Sequence, residues 1–520
     1  MPFCINFALR KSETGTAFTS DKPYFLSTNR FAILHSENQT TNTKTNVKTG
    51  KKMVKKRWII LMTAMVIFAI WGAFAPEHSF ECEFGTAEGQ INPADVAWLI
   101  TATIFVLMMT PGLSFFYGGM VGARNVISTM LQSFIAMGLI SVLWVVIGFS
   151  LCFGDDVGGL GIIGNPLSFP MLSNVGGATY ITENTGKFVG GASIPLALFA
   201  LFQMKFAIIT PSLITGSFAE RVRFSGYMWF MIFFFFFIYC PLAHMTWHPD
   251  GLFLNWGVVD FAGGIVVHAS SGVAALAGAI FLGRRKTVNR NAEPANIPFV
   301  LLGAALLWLG WFGFNAGSSL HSDGMAVKAF LNTNTASAVA MMTWIFFDCL
   351  RGRKPSAMGA AVGCVVGLVA ITPSAGYVTV GQSITISFII TLICNIAVNW
   401  GKGRGVDDAL DVFPTHGTGG IFGTVLTGIF IQEGLIAGTW DGFVIFLYHL
   451  LAIALVIVYT FAMSYVGYKL VDHFIPLRVS TKSELIGLDI SQHDEHYGLA
   501  HVGEREIAEY AQYEHDKKKK

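Results

Sequence analysis

DFAGGIVVHASSGVAALAGAIFLGRR, residues 260–285, is one long apolar run closed by two arginines. Its length suits a helix crossing a hydrocarbon core of about 30 Å. His268 interrupts it eight residues after Asp260. At the helical rise that is roughly 12 Å deep, close to half the core thickness. An imidazole there is costly unless it faces a cavity or a partner. The run therefore raises a question of fold (how many such segments exist) and a question of chemistry (what His268 serves).

The rest of the chain answers the first. Of 520 residues, 53% are hydrophobic and 13% charged. A soluble domain carries about 25% charged residues. The charges sit in short clusters between apolar runs, which is the pattern of a helical membrane protein crossing many times. A formal net charge of +2 without basic patches interleaved with aromatics gives no reason to expect nucleic acid. The seven cysteines are scattered, with no CxxC and no Cys/His metal spacing, so neither a metal nor a cofactor is expected. No nucleophile–base set suggests an enzyme.

Residues 1–52 are polar and lack an apolar span, and they read as a disordered extension. Met53 is an alternative start. The segment 53–75 has a basic head, an apolar body and Ala73-Phe74-Ala75, as a secretory signal does, although Pro76 follows directly. The rival reading is an uncleaved extra helix.

Beyond it we expect eleven spans, at about 94–119, 126–152, 192–219, 224–245, 260–282, 297–320, 326–350, 356–373, 379–400, 407–431 and 441–472. Basic residues alternate between their connections. Arg124, Arg221, Arg223, Arg284, Arg285, Lys286, Arg290, Arg351, Arg353, Lys354, Lys402 and Arg404 fall on one side; Lys187 and Lys328 fall on the other. Twelve against two places the N-terminus outside and the tail, 473–520, in the cytoplasm. The fold class is thus all-α and polytopic, with two inverted five-helix repeats plus one C-terminal helix. The fifth and tenth spans echo one another. Asp260 precedes His268, and Asp411 precedes His416 in DVFPTHGTGGIFG. Counted from Asp260 and from Asp407, both histidines reach mid-membrane. Each could merely bond a helix carbonyl. As a pair of neutral rings they could instead bond each other and leave outward nitrogens for a small polar molecule.

Aromatic residues form a second group. Trp311, Phe314 and Ser318 lie in GWFGFNAGS, Phe202 and Phe206 in FQMKF, and Trp247 ends PLAHMTW. Phe116 and Tyr117 end the first span. Packing accounts for any one of them taken alone. A cation arriving from outside would, however, want aromatic faces and a hydroxyl, a contact worth about 0.5–2 kcal/mol.

These motifs carry a resemblance. DFAGGIVVHASSGVAALAGAIFLGRR, TPGLSFFYGG (110–119), FQMKFAIITPSLITGSFAERVRF (202–224), VDDALDVFPTHGTGGIFG (406–423) and LRVSTKSELIGLDISQHDEH (477–496) resemble the ammonium transporter family (Amt/Mep/Rh), nearest its bacterial and plant-type Amt branch. The resemblance covers about 94–496. It implies an outer ammonium-recruiting site at Trp247, Phe206 and Ser318 with Tyr117 nearby. It implies a gate of Phe206 and Phe314, a pore lined by His268, His416 and Trp311, and Asp260 as structural support. It further implies a cell-membrane homotrimer with one pore per subunit and, in many members, a PII-class protein on the cytoplasmic face. The mechanism it suggests is deprotonation of ammonium near the gate and passage of NH3, with the proton possibly following. The alternatives are an ammonium sensor with minor flux and a neutral-gas channel of Rh type. Lys205 beside the gate ring and Pro414 before His416 depart from what the family pattern leads us to expect, and the connection from Trp247 to Asp260 is slightly long.

Overall fold

The computed structural model describes residues 58–76, 78–286, 293–401 and 405–498. The expectations for 1–52, Met53, Arg290, Lys402, Arg404 and the charged end beyond 498 lie outside these residues. The chain divides after Ile70 into two units. The described part of the first is helical and belongs to α1, Trp58–Ala73. This helix ends where the small-residue motif begins.

The second unit is a bundle. Its helices are α2 (Pro93–Met120), α3 (Val126–Phe153), α4 (Leu196–Phe218), α5 (224–247), α6 (Gly264–Leu282), α7 (Ile297–Ser319), α8 (Gly324–Leu350), α9 (Ala357–Ile371), α10 (Val380–Gly401), α11 (413–430) and α12 (Trp440–Phe474). Side-chain caps start several of them. Asn92, Asn296, Asp323, Ser356 and Thr439 each accept a first-turn backbone N–H. Among the described residues, nine helices are long and apolar enough to cross a membrane. Two are not in that set. The 27-residue α8 carries Lys328, Asn332 and Thr333, and α9 has only 15 residues. Both pack together and against α10 within the bundle.

Small residues let these helices touch backbone to backbone. A Cβ on Gly303 of α7 would lie 2.3 Å from the Phe116 amide of α2. One on Gly367 of α9 would lie 2.4 Å from the Ala336 carbonyl of α8. The same device joins α6 to α11. A Cβ on Gly272 would sit 2.2 Å from Gly417, and one on Gly420 would sit 2.6 Å from the Gly264 carbonyl. The first helices of the two five-helix sets, α2 and α7, therefore pack together, and so do the fifth, α6 and α11. Each fifth helix opens with a π-turn, Gly264–Ala269 and Phe413–Gly417. The 35-residue α12 lies along α6, α11 and α5 and buries one stripe, including His449, Ile453, Val456, Thr460, Ser464 and Val471. It is roughly 50 Å long, more than a hydrocarbon core is thick, so it must tilt or protrude.

Candidate functional site

The site begins with the turn that aims His268. Gly263 has φ +123°, a conformation glycine adopts without strain. The bend turns four amides toward one carboxylate. Asp260 accepts from Gly263 at 2.8 Å and Gly264 at 2.6 Å with one oxygen, and from Ile265 at 2.8 Å and Val266 at 3.2 Å with the other. The N–H groups that a helix start leaves unpaired are thereby satisfied. The Trp247 indole N–H donates to the Asp260 carbonyl at 2.9 Å. Both carboxylate oxygens of Asp260 are thus taken up by backbone amides, and the side chain lines neither of the cavities described below. The longer connection before it contains a one-turn helix, Leu252–Asn255.

The second histidine turn is built on Asp408, which accepts from the Phe413 amide at 2.7 Å. This corrects the sequence echo. Asp408 precedes His416 by eight residues, as Asp260 precedes His268. Asp411 has φ +56°, lines a cavity, and its carbonyl accepts from the Thr415 amide and hydroxyl. Pro414 falls in the first turn, where a missing N–H removes no helical bond.

The glycine crossing of α6 and α11 brings the rings together. His268 and His416 are both buried, with Nδ1 atoms 3.4 Å apart and ring centroids 5.4 Å apart. One Nδ1 must carry the proton and the other accept it. The His268 Nε2 has no hydrogen-bond partner among the described residues.

Above them lies an aromatic column. Phe206 and Phe314 stack at 4.3 Å and 24°, and Trp247 meets Phe206 edge-on at 5.8 Å. Phe202 also touches Phe206, at 5.0 Å. Ser318 lies one turn beyond Phe314 and donates to its carbonyl at 2.8 Å. Trp311 stacks on His268 at 5.3 Å and 15°. A void of about 10 Å³ runs between Phe314 and the two histidines, walled by Leu113, Ile209, Leu213, Val267 and Leu307 among others. That is space for about one water-sized molecule. Past His416 it gives way to a cavity of about 270 Å³ lined by Tyr117, Asp348, Arg353 and Asp411.

One expectation changes here. Tyr117 does not stand beside Trp247. It lies in the larger cavity, with its hydroxyl donating to the Leu213 carbonyl at 3.0 Å. The reason is the length of α2. Asp95, in its first turn, bonds Ser193 and Ser322 near the Ser318 end, and Tyr117 follows roughly 33 Å further along the axis. Lys205 is buried yet does not line the void, and its ammonium approaches the Met204 sulfur at 3.6 Å.

Sequence reading missed the ion-pair layer at the arginine-rich end. Arg285 grips Asp407 with two nitrogens, at 2.8 and 2.9 Å, and Glu220 with a third at 2.7 Å. Burial pushes the Asp407 carboxyl up, but the hydrogen bonds and charge of Arg285 outweigh it and hold it at about 2. The tail docks on this layer. Arg478 pairs with Glu484 at 2.9 Å, Asp489 accepts from the Ile127 and Ser128 amides that open α3, and Gln492 bridges Val222 and Phe224. The Ser/Asp-rich run after 478 was the available signal. The partners of Asp489 and Gln492 lie more than 200 residues away.

Comparison with known proteins identifies the family. Residues 97–497 match the model of the Ammonium Transporter Family. The chain is 41% identical over 416 residues to a putative ammonium transporter of Methanothermobacter thermautotrophicus, covering 78% of this chain and 98% of that one. It is 41% identical over 411 residues to an ammonium transporter of Bacillus subtilis, covering 77% and 97%. Among solved structures it resembles Mep2 of Saccharomyces cerevisiae, with TM-score 0.71, 28% identity and 83% and 99% of the two chains covered.

Proposed function

Because the chain belongs to the Ammonium Transporter Family, we propose that it carries ammonium nitrogen across a cell membrane as NH3, after taking NH4+ from outside. One observation supports this reading above the others: two buried imidazoles, 3.4 Å apart, wall a void of about 10 Å³ behind a pair of stacked phenylalanines. A bare ion in so dry a passage is expensive. Ammonia is neutral, fits the void and can exchange hydrogen bonds with imidazole nitrogens.

In this reading Trp247, Phe206 and Ser318 recruit the cation by cation–π contact and a hydroxyl. Phe206 and Phe314 exclude water. The proton leaves near the gate, NH3 passes His268, Trp311 and His416, and it is protonated again in the larger cavity. The alternation of basic residues supports an N-terminus outside and a cytoplasmic tail. Eleven crossings follow if α8 and α9 also span. The segment through Ala75 then acts as a secretory signal, the assembly is a homotrimer, and the docked tail is the face for a PII-class partner.

The test is methylammonium flux with simultaneous current in proteoliposomes. Saturable uptake is expected, and Trp247→Leu should raise the half-saturating concentration while sparing maximal rate. Uptake no faster than in empty vesicles would overturn the reading. The likeness to a solved Sensor Amt Protein, with TM-score 0.66 and 27% identity, supports a second one, a sensor with minor flux. Ammonium binding with only marginal uptake would favour it.

A further inference from the structure

We propose that Thr372 is a positioning residue for the passage: its hydroxyl holds the Trp311 indole against His268 and so keeps the void behind Phe314 open. The proposal rests on the transport reading above, and its test separates the two.

The hydrogen bonding at this corner runs one way. Thr372, the residue after α9, is fully buried, and its hydroxyl lies 2.8 Å from the Leu368 carbonyl. That carbonyl takes the single hydroxyl proton. Toward Trp311 the oxygen can only accept, and an indole N–H can only donate. The two meet at 2.9 Å. Trp311 is 1% exposed, so the bond is shielded from bulk water.

Not every buried indole is anchored, though both in the passage are, as is Trp144 by the Ala200 carbonyl at 3.0 Å. The N–H groups of Trp98, Trp229 and Trp308 are buried without a partner among the described residues. Trp247 and Trp311, which touch the aromatic column and His268, are both held. Trp247 is held by a backbone carbonyl that no substitution removes. Trp311 is held by a side chain, so one residue controls it.

The next residue ties the same corner to the histidine turn. The Pro373 carbonyl accepts from the Phe261 amide at 3.0 Å. Its ring packs so closely on Gly264 that a Cβ there would lie 2.6 Å away. Residues 372–373 therefore touch Trp311 on one side and the Asp260–Gly264 turn that aims His268 on the other. The 5.3 Å stack between the two rings is set through one short piece of chain. With only about 10 Å³ beside it, an indole that tilts closes the passage.

Thr372→Val keeps the shape and removes the acceptor; Thr372→Ser restores it. In full-length protein in proteoliposomes, Thr372→Val should lower maximal methylammonium flux about fivefold or more, with the half-saturating concentration little changed. Thr372→Ser should stay near the parent. In a Trp311→Phe background, which has no indole N–H, Thr372→Val should add nothing. A further loss there would overturn the proposal, as would a parent-like Thr372→Val. A second readout does not depend on transport. In protein labelled with fluorotryptophan, the fluorine resonance of residue 311, identified by its loss in Trp311→Phe, should move in Thr372→Val and return in Thr372→Ser. An unmoved resonance overturns the brace even if the parent carries no substrate, an outcome that would defeat only the transport reading. If Thr372→Val does not assemble, Thr372→Ala is read in the same ways.

Discussion

The two histidine turns share a plan and differ in finish. In each, a π-turn carries a histidine eight residues after an aspartate, and each crosses the other helix at a glycine. Asp260 satisfies four amides with both oxygens, whereas one oxygen of Asp408 has no partner among the described residues. His268 lies under Trp311 and Phe314. His416 opens on a cavity of about 270 Å³. An inverted repeat supplies a nearly symmetric frame, and the side chains of α2 and α7 make it directional. Aromatic surface closes over one ring, and a cavity with both polar and apolar walls opens beside the other.

The strongest challenge to this comparison is removal of the two aspartates. Asp260→Ala strands four amides from a charged acceptor, each such bond being worth about 1.5–3 kcal/mol. Little assembled protein should survive detergent extraction, while Asp408→Ala should still assemble at lower yield. Size-exclusion profiles after extraction measure this, and equal yields would show that the two turns are held alike.

Next in size is the histidine pair. Removing either ring leaves the other a buried polar group without its partner, a cost of about 1–3 kcal/mol. His416→Ala opens that space to the larger cavity, where water can replace the lost partner. His416, the ring left by His268→Ala, already borders that cavity, so the two variants differ instead in the loss of the ring that lies under Phe314 and Trp311, which is His268. Flux should fall about tenfold or more for His268→Ala and less for His416→Ala, with the double variant little worse than the worse single. Equal losses would erase the directional difference; unchanged flux in both would make the pair mere packing.

The smallest effect is expected at Tyr117. Tyr117→Phe removes one bond to the Leu213 carbonyl, about 0.5–1.5 kcal/mol. It should lower thermal stability slightly and leave the half-saturating concentration for methylammonium unchanged. A clear change in that concentration would return Tyr117 to the recruiting site suggested by its family match.

Sequence by itself determined the class of fold and the cast of the site. Apolar runs, the charges between them and histidines set inside them are one-dimensional signals, because the bilayer imposes one length and one polarity on every crossing. The family motifs carried the pairings of Phe206 with Phe314 and His268 with His416 for the same reason: they are tied to segment order. Tertiary structure decided what depends on helix phase and on meetings between distant residues. The backbone at Asp411 takes a left-handed φ, so Asp408 is the counterpart of Asp260. Tyr117 belongs to the His416 end because α2 separates it from Asp95 by six turns of helix, by roughly 3.6 residues each. Asp489 caps a helix that begins some 360 residues earlier, and Thr372 holds an indole 61 positions away. No local pattern marks such contacts, since a hydroxyl or a carboxylate reads the same in the sequence whatever the packing of other helices brings to it.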